Sequence, residues 1–265
     1  MSSRRGSRLV FSWIWIALGL VYFFLPLLAT FLFSLRAKKG VLSFLAYQHV
    51  FADPKFLQTF GFSFEMAILT VIIGLALIVP TAIWIYLKLP RVKPVIEFFT
   101  LLPFVIPPII LAFGLIRTYS RPPFAFVSSP LLLVAGYVII SFPYIYKSVD
   151  AGLRAMDLRG LTEAAQSLGA GWPTLLFMVI IPNLKTALLS ALFLTFAIVI
   201  GELTLAVLLA WPAFGPYMAL MGRNLAYEPA ALAILSFGLT WGAIGLIQAI
   251  TRGRPGGGSN LGGTH

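Results

Sequence analysis

A chain of 265 residues that is 60% hydrophobic and only 10% charged is not a water-soluble globule, in which about a quarter of the residues carry charge. Its 19 Lys and Arg against 8 Asp and Glu give a net charge of +11. Because these bases lie between long apolar runs, they read as orientation signals at a bilayer and not as a nucleic-acid surface. The absence of cysteine excludes a disulfide framework and any thiolate metal site.

In chain order, Arg4, Arg5 and Arg8 precede a first apolar run over 9–34, too long for the core of a cleavable signal peptide and long enough to span. A second run, 60–87, contains Pro80 and is followed by Lys88, Arg91 and Lys93. A third, 95–117, is interrupted by Pro103, Pro107 and Pro108, which predict a kink that is either a static packing feature or a pivot. A fourth covers 130–149, a fifth 182–210 and a sixth 230–250. In the sixth, Gly238 and Gly242 with Gly245 one turn later predict a face that another helix can approach closely. Spans of this length are helices, since each must satisfy its own backbone in lipid. The expectation is therefore an all-α membrane protein of six transmembrane helices in one domain, 1–252, followed by a disordered glycine-rich tail, 253–265. This arrangement puts 12 of the 19 basic residues on one side, which favours both termini in the cytoplasm.

Between the fourth and fifth spans lies a stretch of different character. Asp157 can cap a helix and Gly169 can stop one. Between them Leu158, Leu161, Ala165 and Leu168 recur on one helical face, which predicts an amphipathic helix of about three turns on the cytoplasmic side. Glu163-Ala164-Ala165 is followed after three residues by Gly169, and after nine more by Val179-Ile180-Ile181-Pro182. This resembles the EAA loop of binding-protein-dependent ABC importer permeases.

The resemblance implies a type I importer permease fold, in which this stretch is a coupling helix docked on a separate ATPase. Asp157, Glu163, Ala164, Ala165, Gly169 and Pro182 would be the coupling residues. It also implies two cytosolic ABC ATPase subunits that bind ATP and Mg, a second permease that is a different homologous chain, and an extracytoplasmic solute-binding protein. The location would be a bacterial cytoplasmic membrane, with lipid around the spans and no nucleic-acid partner. The run from Leu101 to Pro108 and Arg154-Ala155-Met156-Asp157 are most similar to the spermidine/putrescine-type branch, which implies a polyamine or another small organic cation. Iron(III), aminoalkylphosphonate, sulfate and thiamine are the alternatives within the same family.

No catalytic or metal site is expected. The chain has no phosphate-binding loop, so it is not the motor itself, and it needs no cofactor of its own. Its two histidines, His49 and His265, form no metal-binding pair, and there is no nucleophile elbow. Glu97, Asp150 and Glu163 lie near the cytoplasmic boundary without a histidine beside them, so an intramembrane enzyme is unsupported. A secondary transporter is equally unsupported, for want of inverted repeats or several deep acids. One acid stands out. Glu202, in Ile200-Gly201-Glu202-Leu203, falls roughly 7–8 Å outward of the midplane of a helical fifth span, where an ionisable group is costly. A Gly-Glu pair here is similar to one in permeases for unlike solutes, which favours a structural or gating role. Glu202, Pro107 and Pro108 are thus the candidates for the pathway or its gate.

Overall fold

The computed structural model describes residues 3–252 except Phe124, with backbone alone for 3–10 and for several positions beyond 242. The expected tail, 253–265, lies outside the described residues. The chain runs through α1 (Ser3–Ser34), α2 (Leu45–Ala52), α3 (Pro54–Lys88), α4 (Lys93–Val105), α5 (Pro108–Tyr119), α6 (Pro130–Arg154) and α7 (Leu158–Ser167). It continues through α8 (Trp172–Thr174), a π-helical turn (Leu175–Ile180), α9 (Ile181–Asn183), α10 (Lys185–Ile200), α11 (Thr204–Leu208), α12 (Phe214–Asn224) and α13 (Glu228–Arg252). The described residues contain no β-strand, as expected of an all-α membrane protein.

Three uninterrupted helices are long and apolar enough to span: 11–34 within α1, all of α3, and all of α6. Pro80 lies inside α3 without breaking it. The third and fifth expected spans are not single rods. Pro90–Val105 and α5 meet at 97°, which is a break and not the predicted kink. Ile106 before Pro107 is extended at φ −86°, ψ 113°, and Pro107 itself is extended at ψ 139°. Two successive prolines remove two N–H donors and drive the preceding residues out of the helical region, so the chain turns there. Pro103, one turn earlier, stays within α4.

The fifth span is displaced as well. The return begins at Trp172, and Trp172–Asn183 meets α10 at 74°. Pro182 therefore sits exposed inside α9, ahead of the bend, and does not open the span. At its other end α10 stops at Ile200, well short of the expected 210. The sixth expected span corresponds to α13. Its glycine face is open: a Cβ built on Gly238, Gly242 or Gly245 meets no described atom within 4 Å.

The described residues form two compact units, one of residues 55–217 and the other of 3–54 with 218–252. In the smaller unit His49 Nδ1 lies 2.9 Å from the Oε1 of Glu228, which is buried at the start of α13, and Tyr47 and Ser34 share a 2.8 Å hydroxyl bond. The larger unit holds the core that matters for the site. Ile145, Val149 and Leu153 of α6 pack with Leu158, Leu175, Ile180 and Leu184, all fully buried or nearly so. Gly152 makes this possible, because a Cβ there would overlap Ala187 and Leu184 and wedge α10 away from α6.

Candidate functional site

The segment that follows α6 is closed at both ends by local chemistry. The Asp157 carboxylate accepts the Gly160 N–H at 3.1 Å, and its carbonyl accepts from Leu161 at 3.0 Å. The first satisfies a donor that a helix start otherwise leaves orphaned, and the second begins the helical ladder. Gly160 is part of the cap, since a Cβ there would collide with the Asp157 carboxylate. That glycine was the sequence signal overlooked: Asp followed by Gly at the third position permits the tight approach. At the far end Gly169 has φ +81°. Its N–H donates to Gln166 O at 2.9 Å, and the N–H of Ala170 donates to Ala165 O at 3.0 Å. This pair of bonds defines a Schellman turn, which requires a left-handed residue where Gly169 stands.

The helix between these caps has one anchored face and one free face. Leu158 is 1% exposed, Thr162 is buried with its hydroxyl donating to Leu158 O at 2.7 Å, and Ala165 packs on the same core. Glu163, Ala164, Gln166 and Ser167 are exposed. Leu168 was expected on the anchored face, but it is 89% exposed. Its period places it one residue past the last helical position, where the Schellman turn swings it outward. A large apolar side chain left bare beside a short helix is an unfilled contact. Glu163 has no ion pair among the described residues, so its charge too is free for a partner.

The flanks of α7 are braced. Arg154, just before it, reaches Asp150 Oδ2 through Nε and Glu97 Oε1 through Nη2, each at 2.7 Å. Lys93 Nζ is 2.7 Å from Asp150 Oδ1 and lies 4.6 Å from the Tyr86 ring centroid. This lattice ties the start of α4 to the end of α6. Beyond α7, the Trp172 ring meets Trp84 of α3 edge-on at 6.0 Å. The segments on either side of α7 are thereby in contact with α3, α4 and α6, and Leu158 shares a core with Leu184 ahead of α10.

The remaining candidates lie elsewhere in the same unit. Glu202 is not within a spanning helix; it occupies the break between α10 and α11. Its carboxylate accepts the N–H of Leu205 at 3.0 and 3.1 Å and that of Ala206 at 3.3 Å, and it bonds the Tyr137 hydroxyl of α6. Those bonds account for the charge as a helix cap. Gly215 packs on the Glu202 carbonyl so closely that a Cβ would overlap it, and the next turn is tied to α3 by Phe214 N–H donating to Ser63 Oγ at 2.8 Å. Pro107 and Pro108 form the α4–α5 break and are exposed. The structure therefore gathers Asp157, Glu163, Ala164, Ala165 and Gly169 on one short element, with Pro182, Glu202 and the proline pair apart from it. No cluster of three metal-binding side chains exists among the described residues.

Comparison with known proteins fits this geometry. Residues 78–252 match the family described as binding-protein-dependent transport system inner membrane component. A protein of Haemophilus influenzae named as a ferric transport system permease protein is 34% identical over 105 residues, covering 39% of this chain and 16% of that one. The molybdenum transport system permease protein of Azotobacter vinelandii is 30% identical over 154 residues, covering 52% of this chain and 66% of that one. The chain thus spans less than two thirds of the length of these two relatives. A chain from the crystal structure of a bacterial ABC transporter involved in the import of the acidic polysaccharide alginate superposes with a TM-score of 0.70. That superposition covers 94% of this chain and 96% of the other at 14% identity, a likeness of fold.

Proposed function

We propose, from the premise that the chain belongs to the family of binding-protein-dependent transport system inner membrane components, that it forms half of the solute path of an ATP-driven importer and is driven through α7. It is a non-enzymatic permease subunit with a separate ATPase, and on this reading it is the ATPase that binds ATP with Mg. The observation that carries the coupling role is the state of α7: capped at both ends, rooted in the core by Leu158, and presenting Glu163, Ala164 and a bare Leu168. Two cytosolic ATPases closing on ATP draw two such helices together. The braced flanks then move the membrane helices and turn the path toward an extracytoplasmic binding protein. Both termini lie in the cytoplasm of a bacterial inner-membrane protein on this reading, and the second permease is a related chain.

The solute we assign is an inorganic ion of the iron(III) or sulfate type and not a polyamine. The ferric and molybdenum names of the two relatives support this choice. The polyamine expectation rested on the Leu101–Pro108 run and on Arg154–Asp157, and those segments turn out to build the α4–α5 break and the cap of α7. The test of coupling is Leu168→Glu, which should abolish binding-protein-stimulated ATP hydrolysis in the assembled importer while leaving the melting temperature of the permease unchanged. Full stimulation in both Leu168→Glu and Glu163→Ala would remove α7 from the coupling path.

A further inference from the structure

A second feature of the larger unit is an open groove of mixed polar and small apolar lining between α6 and α10, about 740 Å³ in volume, beside the start of α7. On α10, Thr186 and Ser190 stand one turn apart beside Ala187, and Asn183 lies at the end of α9 just before the bend. On α6 the matching wall carries Lys147 and Ser148, then small residues down to Ala155. Such a strip on two otherwise apolar helices is costly against lipid and belongs to a water-filled passage. Its chemistry is one-sided: hydroxyls, one amide and one ammonium line it, and no carboxylate does.

The nearest acid on α6 is Asp150, and its charge is taken by Lys93 and Arg154 on the face toward α4. Lys147 has no ion pair among the described residues; its ammonium lies 5.7 Å from the Phe104 ring centroid, an interaction that leaves its charge uncancelled. A passage of this composition repels a di- or tricationic solute. It attracts a small oxyanion, which Ser148, Thr186 and the second amide N–H of Asn183 can hydrogen-bond as it passes, the Ser190 hydroxyl and the first Asn183 N–H being donated to the Thr186 and Val179 carbonyls. We infer that the α6–α10 groove is the α7-side lane of the solute path and that it selects for a small oxyanion, with Lys147 setting the sign of its potential. This rests on the permease reading and narrows its solute class.

The chain has no cysteine, so single thiols can be placed at will. Ser190→Cys and Ser148→Cys in the full-length purified permease would be labelled with an anionic and a cationic methanethiosulfonate of similar size, with Ser167→Cys on the exposed face of α7 as the reference. One uncancelled ammonium within a Debye length in water-like surroundings favours the anionic reagent by roughly two- to fivefold at low salt. The expected result is that the anionic-to-cationic rate ratio at both groove positions exceeds the reference by about that factor. It should fall to the reference in Lys147→Gln and stay high in Lys147→Arg. Equal ratios at the groove and the reference, a cationic preference, or a preference indifferent to Lys147→Gln would each overturn the oxyanion assignment. None of these would touch the permease reading, which stands or falls on stimulated ATP hydrolysis with Leu168 and Glu163 replaced.

Discussion

Gly169 offers the sharpest test, because its substitution changes one physical quantity. A Cβ at this position meets nothing within 4 Å, so sterics from neighbours play no part. What changes is the backbone: φ is +81°, a region that costs an L-residue roughly 1–2 kcal/mol and a β-branched one more. Asn tolerates that region best, Ala less well, and Val least. If Val costs about 2 kcal/mol, the frayed form of the turn becomes about 30 times more populated relative to the closed form. Fraying releases the bonds from Gly169 to Gln166 and from Ala170 to Ala165, and with them the position of Leu168. The anchored half of α7 survives, since Leu158 and Thr162 hold it in the core. Expected, therefore, is a graded loss of binding-protein-stimulated ATP hydrolysis and uptake in proteoliposomes in the order Asn, Ala, Val. Melting temperature and assembly yield should hardly change across the series. Equal stimulation in Gly169→Val and the parent would refute the argument that this turn positions the docking surface.

The same structure sets the outcome of other substitutions. A cysteine at Ser167, which is exposed on α7, should react with an impermeant reagent in inverted vesicles and not in intact cells; labelling from outside would invert the proposed topology. Removing the cap with Glu202→Ala should cost about 1–2 kcal/mol and lower the detergent melting temperature, and Gly215→Val should do the same by about 1–3 kcal/mol through overlap with the Glu202 carbonyl. Glu202→Gln, which keeps one acceptor oxygen, should retain most of the uptake. Unchanged melting with lost uptake in Glu202→Ala would instead make that carboxylate part of the gate.

The three unbroken spans, in α1, α3 and α6, and both ends of α7 were legible in the sequence. Helix caps are short-range: Asp157 acts on a donor three residues away, and Gly169 supplies a φ that other residues avoid, so neither needs the rest of the fold. The Pro107-Pro108 pair likewise announced an interruption, since a proline forbids a helical bond wherever it stands. Its 97° angle could not be read, because a break frees the chain to turn and only the packing of α4 and α5 fixes how far. Leu168 was misplaced for a related reason: periodicity assumes that the helix continues, and the cap that ends it redirects the next side chain. Glu202 was legible as an anomaly but not as a cap. Its bond to Tyr137 and its contact with Gly215 join residues far apart in sequence, and they meet only once α6, α10 and the start of α12 are packed together. The same holds for the groove. Lys147 and Ser190 carry no mark of a shared passage until the smallness of Gly152 and Ala187 lets their two helices close side by side.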